Sequence, residues 1–171
     1  MNKFIDVPAT NVWIGFDMAK GDFVAPVGRG ETPDFDIKAE WDGLPSWESR
    51  FCRSTIRFRE DKAGGCYVRN VKESKFPYPY SAQEDHVYHQ REVEIVDRNG
   101  DPGVTKVPFA GDSSLVTRTR CETDDKGILE KANYGAVRRF EIGPSRRGIP
   151  LLRIAYVFNP TPNDPNIEEK R

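Results

Sequence analysis

Gly148-Ile-Pro-Leu-Leu-Arg-Ile-Ala-Tyr-Val-Phe-Asn-Pro160 is the longest nearly unbroken apolar run in the chain. From Leu151 to Phe158 only Arg153 interrupts it. The run is short, rich in branched and aromatic side chains, and has a proline on either side. Those features predict a strand covered on both faces rather than a buried helix. A covered strand needs neighbours, and the rest of the sequence supplies candidates.

Phe35, Ile37, Ala39 and Trp41 alternate with Asp36, Lys38 and Glu40, the period of a half-buried strand. Asn11–Phe16 and Phe23–Val27 read as two more strands joined by the turn residues Asp17–Asp22. Ser54–Arg59 and Cys66–Val71 read as a hairpin closed by the Glu60–Gly65 loop, which places Arg59 near Cys66 and disfavours a Cys52–Cys66 disulfide. Val87–Val96, Val104–Phe109 and Leu115–Glu122 follow. Ile128–Asn133 and Ala136–Ile142 then flank a bulge or tight turn at Tyr134-Gly135. Ser46–Phe51 has the pattern of one helical turn. Phe76-Pro-Tyr-Pro-Tyr80 must be extended and at an edge, because its prolines cannot donate to a ladder. About ten short strands at this spacing predict an all-β, antiparallel sandwich of Greek-key or jelly-roll type. Residues 1–160 form one such domain and 161–171 an extended, proline-rich tail.

The chain has 171 residues, 37% hydrophobic and 31% charged, which is enough for a single domain with its own core. Net charge is −1, but residues 1–48 carry nine acids against four bases, so the remainder is basic. No apolar run reaches the roughly 18 residues of a membrane span. No signal-peptide pattern opens the chain, so the expected location is the cytoplasm, or an exported protein's mature form. Three cysteines at unrelated spacings fit neither a zinc site nor a disulfide framework.

Several motifs bear on function. Asp97–Gly103 has oxygen donors at alternate positions, but Pro102 and Pro108 stand where a calcium loop needs Gly and Glu, so it reads as a hairpin turn. His86 and His89 lie three apart in a β pattern and would point to opposite faces, which is no metal site. Trp41, Trp47, Phe76, Tyr78 and Tyr80 form a candidate ligand platform for sugars or extended peptides, since rings offer rigid contact area. Arg118, Arg120, Arg146 and Arg147 form a candidate anion site, with Arg118 and Arg120 on one sheet face. No catalytic residue, metal or cofactor is assigned.

Trp13-Ile-Gly-Phe-Asp-Met-Ala-Lys20 resembles the opening strand of RNase H-like transposases. That resemblance implies a metal-binding catalytic role for Asp17. It covers eight residues, and the sequence supplies none of the helices or further acidic strand ends that two-metal chemistry uses. Ala132-Asn-Tyr-Gly135 with Tyr156 and Asn159–Asp164 resembles the closing phrase of certain bacterial β proteins, which implies no activity.

The expected function is therefore a non-enzymatic binding or assembly module, with a protein partner or self-association ahead of carbohydrate. Nucleic acid and membrane are not expected partners. The alternatives are the aromatic platform and the Asp17 nuclease.

Overall fold

The computed structural model describes residues 1–42, 51–69, 82, 88–98, 113–144 and 149–167, excepting the side chains of Trp41, Asp42, Phe51, Cys52, Asp97, Arg98 and Pro144. These residues form ten strands: β1 (Asn2–Asp6), β2 (Trp13–Asp17), β3 (Asp22–Phe23), β4 (Phe35–Asp42), β5 (Phe51–Arg57), β6 (Gly64–Arg69), β7 (Glu92–Arg98), β8 (Ser113–Thr123), β9 (Leu129–Pro144) and β10 (Pro150–Asn159). They make two five-stranded sheets, in the orders β1-β10-β9-β8-β6 and β3-β2-β4-β5-β7. Every strand pairing is antiparallel. Among the described residues there is no helix, and so none long and apolar enough to cross a membrane.

The two sheets stack through the inward members of each alternating set. Phe16, Phe35 and Ile37 of the second sheet meet Leu152, Ile154 and Tyr156 of the first in one buried cluster. Phe16 stacks on Phe35 with ring centroids 5.5 Å apart and meets Tyr156 edge-on at 5.9 Å. Burying such side chains supplies the main drive to fold, roughly 1.5–3 kcal/mol for each. The apolar run predicted as a covered strand is β10, second in its sheet. Leu152, Ile154 and Tyr156 enter the core. On its other face Val157 packs against a second cluster that includes Ala82, Tyr88, Tyr134 and Ile167. The predicted tail thus lies along the outside of the first sheet as far as Ile167, held where Asn163 bonds the Ala132 main chain in both directions.

Four local readings are corrected. The hairpin expected from Ser54–Arg59 and Cys66–Val71 does not form, because β5 and β6 belong to different sheets. Phe58 and Ala63 are both buried in the core, and they carry the connection from one sheet to the other. The strand expected over Phe23–Val27 stops at Phe23, because Val24 bridges to Gly30 and Ala25 donates its N–H to the Gly30 carbonyl rather than to β2. Tyr134-Gly135 is not a turn but mid-strand in β9. Gly135 is needed for clearance, as a Cβ there would lie 2.8 Å from the Val157 carbonyl oxygen. The strand expected from Val87 starts at Glu92, after Gln90 has bridged to Gly65 of β6. The expected features at 46–50, 76–80 and 104–109 lie outside the described residues, as do most of 97–103 and His86.

Candidate functional site

Asp17, Asp34 and Arg120 form a buried polar cluster between the sheets. Asp17 closes β2, Asp34 immediately precedes β4, and Arg120 comes from β8 of the opposite sheet. Thr119 pairs with Asn133 and Glu122 with Lys131, so Arg120 and Cys121 together oppose Ala132. That is a β-bulge, with Arg120 left-handed at φ 51°. An arginine in this conformation carries about 1–2 kcal/mol of strain. The bulge breaks the alternation. Arg118 stays on the outer face, 4.5 Å from the Tyr88 ring, while Arg120 turns between the sheets.

The Arg120 guanidinium donates from Nε to Asp34 Oδ1 and from Nη2 to Asp34 Oδ2, both at 3.0 Å, and from Nη2 to Asp17 Oδ1 at 2.9 Å. Asp34 also accepts the Thr119 hydroxyl and the Met18 N–H, each at 2.7 Å. Asp17 accepts main-chain N–H groups from Lys20, Glu31 and Thr32. Burial pushes the Asp34 carboxyl above its ordinary range, against the opposing pull of Arg120, Thr119 and Met18. Asp17 moves the other way. Burial acts to raise it, but the three N–H donors and Arg120 outweigh that and hold it below the usual carboxylate range. Every carboxylate oxygen is thus engaged, which suits a clamp between sheets. Among the described residues no three His, Cys, Asp or Glu side chains gather where they could hold a metal ion.

A second feature lies on the outer face of the second sheet. Trp13, Gly15 and Asp36 face outward there, and Arg57 follows Asp36 in register. The fully buried Asp36 carboxylate binds Arg57 Nη2 at 3.0 Å and Arg59 Nε at 2.8 Å. Arg57 also stacks on the Trp13 ring, 4.0 Å from its centroid. Two guanidinium groups therefore share one carboxylate, while Glu92 of β7 stands opposite Arg57 in register and Glu60 lies near Arg59. Beside them opens a depression of about 420 Å³ walled by Val12, Val24, Pro26, Val27 and Pro33, with Arg59 at its rim. Val12 and Val27 are nearly half exposed. Gly15 lets Pro33 settle against the sheet, since a Cβ there would lie 2.9 Å from the proline ring.

Of the residues singled out from sequence, Arg118 and Arg120 do not share a face. Trp47, Phe76, Tyr78, Tyr80, Arg146 and Arg147 lie outside the described residues, as does the Trp41 side chain. His89 is exposed beside Gln90. The sequence patterns assign no site role to Asp34, Asp36, Trp13 or Arg59. Asp36 and Trp13 had one signal, an acid and a tryptophan on the outward phase of predicted strands. Neither a family model, a curated protein nor a solved structure matches this chain.

Proposed function

We propose that the chain is a non-enzymatic binding module that takes an extended, apolar and acidic segment of a protein partner at the Trp13 depression. The observation that carries this reading is the pairing of an open apolar hollow with two arginines sharing one buried carboxylate. Proline and valine walls suit small apolar side chains, and the half-exposed Arg59 guanidinium at the rim suits a neighbouring carboxylate. The hydrogen-bonding of Asp17 supports a binding role over the nuclease alternative, since a metal would have to displace Arg120 or three N–H donors.

An array of short peptides combining Val, Leu or Pro with Asp or Glu tests the reading. Binding of a subset by the whole chain, lost in Val12→Asp and Val27→Asp while thermal unfolding is unchanged, is the expected result. Binding indifferent to both substitutions, or equal capture of basic peptides, overturns it.

A further inference from the structure

The first sheet ends in β1, and the phase of its hydrogen bonds determines what that edge offers. Met1 and Tyr156 exchange main-chain bonds in both directions, and Val7 donates to the Pro150 carbonyl. In an antiparallel ladder the bonded positions recur every second residue. Lys3 and Ile5 therefore also point their main-chain groups at β10. Asn2, Phe4 and Asp6 point theirs away from the sheet, and no described strand lies beyond them.

The other edges are guarded. β3 is followed by a bridge between Val24 and Gly30, and β6 is bridged to Gln90. β7 carries the exposed acids Glu92 and Glu94. β1 has no proline, bulge or outward lysine, and it carries one exposed acid, Asp6, against the two of β7. The Lys3 side chain lies inward, near Gly21 and the Tyr156 hydroxyl. Phe4 stands 66% exposed.

The edge is complementary to itself. Paired antiparallel about a two-fold axis at Phe4, the strand places Phe4 opposite Phe4 and Asn2 opposite Asp6 of the second copy. All three outward residues then fall on bonded positions, giving about six main-chain hydrogen bonds. Asn2, Phe4 and Asp6 share one face, so the two rings pack together and each Asn2 amide meets an Asp6 carboxylate. Sliding the pair by two residues in one direction sets Lys3 against Lys3. Sliding it in the other sets Asn2 against Pro8, which has no N–H to give. The sequence thus favours one register.

We infer that the β1 edge is an isologous interface through which two copies of this chain join their first sheets into one continuous sheet. A five-residue strand buries little area, so the dimer is weak, with a dissociation constant on the order of tens of micromolar.

Sedimentation equilibrium of the whole chain, tagged only at its C-terminus, from about 1 µM to about 500 µM tests this. The expected result is a monomer–dimer equilibrium within that range. Phe4→Pro removes an outward N–H and the ring while sparing the bonds to β10, and should leave only monomer. Asn2→Asp sets carboxylate against carboxylate and should weaken the dimer about tenfold at low salt, whereas Asn2→Lys should tighten it. Thermal melts identify a variant that has lost its fold. If Phe4→Pro is such a variant, the opposed shifts of the two exposed Asn2 variants decide the matter. A wild-type monomer across the whole range, or a dimer unmoved by the folded variants, overturns the inference.

Discussion

Arg120 Nε lies 3.0 Å from Asp34 Oδ1, joining a bulged strand of one sheet to the entry of a strand in the other. Asp34 is 2% exposed and Asp17 1%, so Arg120 compensates two buried acids at once. Removing one member of such a group leaves an uncompensated charge in a poorly solvated site. Arg120→Met should therefore cost about 3–5 kcal/mol in urea unfolding. Arg120→Lys should cost less, since it keeps the charge and loses the forked geometry. A loss below about 1 kcal/mol in Arg120→Met, the scale of a surface ion pair, would mean the clamp contributes little.

Asp17 sets the acid limb of the stability curve. Its folded carboxyl titrates below the ordinary 3.8, so on acidification the unfolded chain takes up its proton first. Its contribution is present above 3.8 and fades as pH falls below that value. Asp34 has the opposite sign. Raised in the fold, it favours the native state more at low pH and loses that advantage as pH climbs above 3.8. Asp17→Asn should lower stability at neutral pH and flatten the decline below 3.8. Chemical unfolding at stepped acidic pH measures both. An acid decline as steep as the wild type's would show that Asp17 does not supply it.

The sandwich was legible because period-two alternation reports which side chains face a core. Phe35, Ile37 and Ala39 show it plainly, and Leu151–Phe158 shows the density of a strand with neighbours on both faces. Alternation carries no information about which sheet a strand joins. Ser54–Arg59 and Cys66–Val71 therefore read as a hairpin, although Phe58 and Ala63 dive between the layers. β1 carries no such signal, because Phe4 and Ile5 are adjacent and give no alternation. The Asp17–Asp34–Arg120 clamp depends on one left-handed arginine, and no local pattern separates Arg120 from Arg118. The Trp13 depression joins residues that are distant in sequence, such as Val12, Pro26 and Arg59, and only the sheet register brings them together.

Two thiols should open the alkaline limb, ahead of the Tyr156 and Tyr67 phenols, which burial also raises from an ordinary 10.0. Burial pushes Cys66 up to about 11 from an ordinary 9.0, with Arg118 pulling weakly the other way. Burial also raises Cys121 to about 11, aided by the nearby Glu60 carboxylate. A thiol raised in the fold stabilises the native state fully below its unfolded value. That advantage is lost as pH rises from 9.0 to about 11, because only the unfolded chain ionises freely there. Each should remove up to about 2–3 kcal/mol across that window, with less from the partly exposed Cys121. The same raised values make both thiols poor nucleophiles near neutrality. Peptide mapping after iodoacetamide treatment at pH 8 should find both unmodified in the native protein and alkylated once urea is added. Cys66→Ala and Cys121→Ser should each shallow the alkaline decline, with Cys66 the cleaner case because Cys121 keeps some solvent contact. Rapid native alkylation of Cys66, or an alkaline decline unchanged in both variants, would refute the assignment.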